Sequence, residues 1–372
     1  MDLPYSDLIE IKYLTRLFDN KSECYKLFWF EAIVDLVSKG RYSATYDELI
    51  NEMIVSAWYM VSEYHLNLGP SDTLEALIHR LMQLNNGILK TSDSRENILA
   101  FISDCQDNDV RSMKRTLTKN VPYRLQSPFL ENVKGKDWNV PEKSLAEKIN
   151  LEKRLIYYFT DISGMQSRIT IQKRWADYID SNREIIKGWI EYNKIMYLQR
   201  RNPSVPGIAN KLYPRKDRDL ECVKRYWKTI LMVHPVTEIY GGNLLTDKDS
   251  ISIDHFIPWS YVTHDELWNL NPTTKSINSA KGNFLPKWDI YFSLLCDIEF
   301  SAYEMVWKYE HIHDSFEKCL DSNINESEVR RQLYCPDLKK EEFSGILHDI
   351  MLPVYQAAGK IGFRDWKLTN EA

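Results

Sequence analysis

Apolar residues spaced three and four apart run through most of this chain and leave room for only one short stretch of strand-like sequence. In TYDELINEMIVSAWYMV, residues Leu49, Ile50, Met53, Ile54, Ala57 and Val61 fall on one face of a helix. Thr45 with Glu48 supplies a capping box at its start. GPSDTLEALIHRLMQL repeats the device: Pro70 and Ser71 mark the beginning, and Leu74, Leu77, Ile78 and Leu81 form the stripe. Further helices are expected near 95–104, 145–160 and 170–200, the last carrying Trp175, Ile179, Ile186 and Ile190, with Gly188 as its weak point. Such stripes are packing faces. Residues 1–200 therefore read as a helical N-terminal region, and the pattern returns after Trp288 to make 288–372 a C-terminal helical region.

Between these regions the texture changes. Pro122, Pro128 and Pro141 mark an irregular connection inside the first helical region, and Pro203, Pro206, Gly207 and Pro214 stop any helix after Arg201. Residues 201–230 read as a basic linker ending in a short helix near 219–231. HPVTEIYGGNLL has the form of a hairpin turning at Gly241–Gly242, and SISIDHF alternates like a strand. The expected class is mainly α, with a small α+β module embedded at 231–287.

The net charge of −5 does not mark a nucleic-acid binder, but a local patch is what touches phosphates. Between Lys194 and Lys228 there are ten Lys/Arg against three acids (Asp217, Asp219, Glu221), and Arg111–Arg124 holds five bases and no acid. A solvated helix face is the plain alternative for either. The six cysteines form no CxxC pair, which argues against a zinc knuckle or a disulfide framework and fits a reducing cytoplasm. Met1 opens without a basic-then-apolar leader, and no apolar run approaches the ~18–20 residues of a membrane span, so a soluble cytoplasmic protein is expected.

Chemistry concentrates in ISIDHFIPWSYVTHDELWNLNPTTKSINSAKGNFLP, residues 251–286. It reads as a strand ending in Asp254–His255, a loop with a turn at Thr263–Glu266, and a helix capped by Thr273 or Thr274 and ended by Gly282. Asn278 lies on that helix with Lys281 one turn on. A carboxylate, an imidazole and an amide oxygen brought together suit a hard, partly hydrated ion such as Mg²⁺.

This segment resembles the HNH (ββα-metal) nuclease motif, which has a D-H pair on a strand, a middle Asn followed by Leu, and a final His or Asn in an N-x-x-K helix. Asp254–His255, Asn269–Leu270 and Asn278 with Lys281 match it. The H-N-N form, with steps of 14 and 23 residues from His255 to Asn269 and Asn278, is similar to the HNH domain of CRISPR type II effector nucleases. The surrounding wording (DHFIPWSY…HDELWNL…NSAKGNFLP) is similar to stand-alone bacterial HNH proteins. The resemblance implies a ββα-metal core flanked by the N- and C-terminal helical regions.

It also implies roles. His255 would be the general base, a task an imidazole suits because it titrates near working pH. Asp254 and Asn278 would hold one Mg²⁺ (or Mn²⁺), and Asn269 would orient the loop carrying His255. Lys281 is expected to contact phosphate, and His264 is a candidate auxiliary base or a plain loop residue. Docking of the DNA backbone is expected from Arg200, Arg201, Lys211, Arg215, Lys216, Arg218, Lys224 and Arg225. The cysteine pairs that bind structural zinc in many members are missing here, so no structural zinc is expected. Trp259 and Trp268 flank the site as packing or stacking rings, and His311, His313 and Asp314 form an HxHD cluster that reads as a solvated face sooner than a metal site.

The expected activity is metal-dependent hydrolysis of DNA phosphodiesters, one strand per site, so that double-strand cleavage would need a homodimer or a partner. A catalytically silent or partner-activated binding protein, and an RNA-cleaving enzyme, are the alternatives. Similar stand-alone proteins suggest a setting in phage defence or mobile elements.

Overall fold

After a single turn, α1 (Ile11–Leu14), come α2 (Tyr25–Ser38) and α3 (Tyr46–Ser62), which are apolar around most of their circumference and so must be enclosed by other elements. The computed structural model describes residues 3–19, 23–89, 93–131, 133–214, 219–323 and 327–369. They fall into two units: Met1–Pro203 with Ile208–Pro214, and Ser204–Gly207 with Arg215–Ala372. Helix makes up 59% of the chain, which puts the class as mainly α.

In the first unit, Phe28, Trp29, Phe30, Ile33, Ile50, Met53 and Ile54 form the centre, all buried. The Thr45–Glu48 capping box is formed: Thr45 Oγ1 accepts from the Glu48 amide, and the Glu48 carboxylate accepts from the Thr45 amide at 2.7 Å. Helix α4 (Thr73–Leu84) is capped by Asp72, one residue beyond Ser71, and buries Leu74, Leu77, Ile78 and Leu81. Each of these side chains contributes about 1.5–3 kcal/mol of burial. The helices α5 (Arg95–Asp104), α6 (Asn108–Thr118), α7 (Val121–Arg124) and α8 (Glu142–Ile149) follow.

The helix expected over 145–160 ends at Ile149, and the chain turns to strand. β2 (Tyr157–Asp161) and β3 (Arg168–Ile171) join β1 (Ser43–Thr45) in an antiparallel sheet of order β1-β3-β2. Strands of four or five residues carry too little periodicity to be separated from helix in the sequence. The expected helix over 170–200 is two helices, α9 (Lys173–Ser181) and α10 (Arg183–Arg201), broken at Asn182; Gly188 sits inside α10 without interrupting it.

The second unit begins with α11 (Glu221–Leu231), whose Val223, Tyr226, Trp227, Ile230 and Leu231 are buried. A hairpin of β4 (Val236–Thr237) and β5 (Leu244–Leu245) follows, turning through Gly241 and Gly242. Next are β6 (Ser252–His255), the one-turn α12 (Trp259–Val262), β7 (Leu270–Thr273) and α13 (Lys275–Lys281). β6 and β7 pair antiparallel, with Asp254 opposite Asn271 and His255 opposite Leu270. β8 (Leu285–Pro286), α14 (Trp288–Lys308), α15 (Glu310–Asn323), α16 (Ser327–Leu333) and α17 (Lys340–Lys360) lead to β9 (Asp365–Trp366), which returns to pair parallel with β8.

One apolar core runs through this unit: Trp227, Phe256, Ile257, Leu270, Leu295, Ile312, Leu347 and Met351 belong to it together. The stretch 201–230 is thus divided, 208–214 belonging to the first unit and the chain from 215 to the second. Among the described residues no helix is long and apolar enough to cross a membrane.

Candidate active site

The site is assembled on β6, β7, α13 and the turn between β4 and β5. Glu238, buried, builds that turn. Its Oε1 accepts from the Gly241 amide (2.7 Å), the Asn243 amide (3.2 Å) and Asn243 Nδ2 (2.9 Å), and its Oε2 accepts from the Tyr240 amide (2.9 Å). Gly241 is required there because a Cβ would lie 2.8 Å from Glu238 Oε1. The turn aims Tyr240 so that its hydroxyl donates to Asp254 Oδ2 at 2.5 Å. Burial, then the Asp254 charge, drives the Tyr240 phenol far above its ordinary value and keeps it a donor.

Asp254 is 3% exposed, and its other oxygen, Oδ1, faces the Lys281 ammonium at 3.1 Å. Lys281 also donates to the His255 carbonyl at 2.6 Å and is wholly buried. Burial pulls the Lys281 ammonium below its ordinary value, against the opposing pull of Asp254. Lys281, expected as a phosphate contact, is buried: the last turn of α13 directs this side chain inward, where it pairs with Asp254.

His255, on the next position of β6, is 5% exposed, and its Nε2 lies 2.7 Å from Asp265 Oδ1. Asp265 stands in the loop between α12 and β7 and is half-buried. Nothing in local spacing shows that this loop folds back over β6, so Asp265 is not legible as a site residue in the sequence. Asn269 clamps the backbone beyond His255. Its Oδ1 accepts from the Ile257 amide (2.7 Å), its Nδ2 donates to the Ile257 carbonyl (2.9 Å), and its own carbonyl accepts from the Phe256 amide (2.9 Å). Trp227 Nε1, donating to the Leu270 carbonyl at 3.2 Å, fixes β7 from the side of α11.

Thr274 caps α13 by accepting from the Ile277 amide, and Gly282 ends it with φ +50°. Asn278 is half-buried, and its Nδ2 donates to Ser252 Oγ (2.7 Å) and to the Ile253 carbonyl (3.0 Å). A carbonyl can only accept, so the amide nitrogen must face the strand, and the oxygen is the end of the amide not used by β6. Trp268 is buried as a packing ring, with the His264 imidazole 5.8 Å from it. On α15, His313 pairs with Glu317 at 4.0 Å, and among the described residues no three His, Cys, Asp or Glu side chains form a metal-binding group.

The basic residues divide. Lys211, in the first unit, is fully buried, and burial holds its ammonium down to about 7, so it cannot meet a phosphate from that position. Lys194 is buried beside Glu31. Arg200 and Arg225 are exposed, while Arg201 and Lys224 are half-buried. Arg215, Lys216 and Arg218 lie outside the described residues.

An acid–histidine pair on a strand, an asparagine clamp behind it and an asparagine on the following helix are the matched positions of the motif. Residues 238–287 match the HNH endonuclease family. This segment is similar to HNH endonuclease domains. The match begins at Glu238, so it takes in the carboxylate that builds the turn and Tyr240 together with the acid–histidine pair. No curated protein and no solved structure matches the chain.

Proposed function

We propose that the HNH domain hydrolyses DNA phosphodiesters in a metal-dependent reaction, with His255 as general base and one Mg²⁺ or Mn²⁺ on Asp254 and Asn278. The observation that carries this reading is the restraint on His255: its imidazole is held by Asp265 at 2.7 Å, and the backbone beyond it is clamped from both sides by Asn269. A structural histidine needs no such double restraint, whereas a base must be held within hydrogen-bonding reach of one water.

The donor set fits a hard divalent ion. Asp254 offers a carboxylate, and Asn278 offers the amide oxygen that β6 does not use. When bound, the ion supplies charge stabilisation at the scissile phosphate and the departing oxygen. His255 takes the proton of the attacking water. Asp265 orients the ring and stabilises the imidazolium that results. Asn269 holds the loop without touching the ion, and the strand–strand–helix order of β6, β7 and α13 supports the ββα-metal layout. Arg200, Arg201, Lys224 and Arg225 serve as backbone contacts that add affinity without sequence choice. The resemblance to stand-alone bacterial proteins supports a setting in phage defence or mobile elements.

One observation favours a second reading, a silent or partner-activated nucleic-acid-binding protein. Asp254 is deeply buried and already neutralised by Lys281. Incubation of supercoiled plasmid with the protein in Mg²⁺, in Mn²⁺, in EDTA and with His255→Ala separates the two. Nicked or linear product from the wild type alone, abolished by EDTA and by the substitution, supports the nuclease. Retained plasmid binding without cutting in either metal supports the second reading. Cleavage of single-stranded RNA with plasmid untouched would replace the substrate.

A further inference from the structure

Away from the nuclease site, Cys222 in the first turn of α11 and Cys319 in α15 bring their sulfurs to 3.1 Å, although 97 residues separate them. Neither is in a disulfide. Cys319 is fully buried and Cys222 half-buried, so one sulfur is reachable from solvent and the other is held directly behind it. The approach is fixed by packing. One turn after Cys222 on α11 and one turn before Cys319 on α15, Tyr226 meets Phe316 with ring centroids 5.8 Å apart, which sets the register of the helix pair. A disulfide needs about 2.05 Å between sulfurs, which leaves a gap of roughly 1 Å to close.

We propose that Cys222 and Cys319 are a redox-reactive dithiol that closes to an intramolecular disulfide when the protein meets a peroxide. The Cys222 thiolate attacks one peroxide oxygen, the O–O bond breaks, and hydroxide leaves a sulfenic acid on Cys222. The Cys319 sulfur then attacks the Cys222 sulfur. The S–O bond breaks, the thiol proton leaves with the departing oxygen as water, and the S–S bond forms. Two thiols thus give up two electrons and reduce one peroxide to two waters. A thiol reductant reverses the step.

The consequence follows from where the bridge falls. The HNH domain, residues 238–287, lies wholly inside the loop it closes. The bridge also anchors α11, which supports β7 through Trp227 and the Leu270 carbonyl. Oxidation therefore tightens the unit that carries the nuclease site, whether or not that site cuts DNA.

The full-length protein is treated with hydrogen peroxide, its remaining thiols are alkylated, and it is digested without reductant for mass spectrometry. The expected product is a Cys222–Cys319 cross-linked peptide pair that disappears on reduction and is lost in Cys222→Ser. Oxidised wild type gains about 5–10 °C in the melting of its second unit, and Cys222→Ser gains nothing. Since Cys222 is partly exposed, this variant is expected to melt with the reduced wild type, which guards against a folding defect. Oxidation of Cys222 to the sulfinic acid with Cys319 still alkylatable after denaturation overturns the proposal. So does cross-linking spread over Cys105 and Cys335.

Discussion

His255 Nε2 lies 2.7 Å from Asp265 Oδ1, joining a strand residue to a loop residue ten positions later. The carboxylate holds one ring nitrogen and so fixes the plane and rotation of the imidazole. If His255 is the base, Asp265→Ala should lower kcat for plasmid nicking by about 10–100-fold, the usual cost of losing a group that orients a catalytic histidine. KM should change little, and Asp265→Glu should restore part of the rate. Equal rates for wild type and Asp265→Ala, measured under single turnover, would remove Asp265 from the mechanism.

The Lys281–Asp254 pair is a stability element as well as part of the site. Both side chains are almost fully buried, so removing one charge strands the other in a poorly polarisable interior. Lys281→Met should destabilise the second unit by about 3–5 kcal/mol, and adding Asp254→Asn to it should recover a good part of that loss. Urea unfolding of the two single variants and the double variant reads the coupling directly. A Lys281→Met variant within about 1 kcal/mol of wild type would mean that Asp254 is solvated or otherwise compensated.

The sequence exposed what depends on local pattern. The helix stripes, the cap at Thr45 and the turn at Gly241–Gly242 follow from local spacing, and the motif at Asp254, His255, Asn269 and Asn278 follows from its resemblance to the HNH family. What it hid depends on tertiary placement. β2 and β3 are too short to show a period of two. Lys281 shares a helix with Asn278 but projects inward, and a helix spacing of three does not say which side is covered. Lys211 counted as one of ten cations in a basic stretch, yet charge counting cannot tell a surface ammonium from a buried one. Asp265 is a loop acid next to His264, and only the fold turns it toward His255.

Buried Lys211 makes the first unit sensitive to pH. Its ordinary value of 10.5 is depressed to about 7 in the folded protein, with burial as the cause. Between those values the unfolded chain binds a proton that the folded chain does not, so stability rises with pH across that window. It is lost as pH falls through about 7. The slope from this one group is on the order of 1 kcal/mol per pH unit. Lys211→Met should flatten the melting profile of the first unit between about pH 7 and 9 and raise its stability near pH 7. Parallel profiles for the two proteins would show that the side chain reaches water.

Asn269 allows orientation to be separated from metal binding. Its amide both accepts from and donates to Ile257, and the side chain is fully buried. Asn269→Asp keeps the size and the acceptor but sets a carboxylate oxygen against the Ile257 carbonyl. That change should cost more than about 3 kcal/mol, whereas Asn269→Ala, which only deletes the clamp, should cost about 1–3 kcal/mol. In Asn269→Ala the cleavage rate should fall at least tenfold as His255 loses its register, while the Mg²⁺ concentration for half-maximal rate stays within about twofold. A large rise in that concentration instead would mean that Asn269 helps to hold the ion. An unchanged rate would mean that β6 and Asp265 alone suffice to place His255.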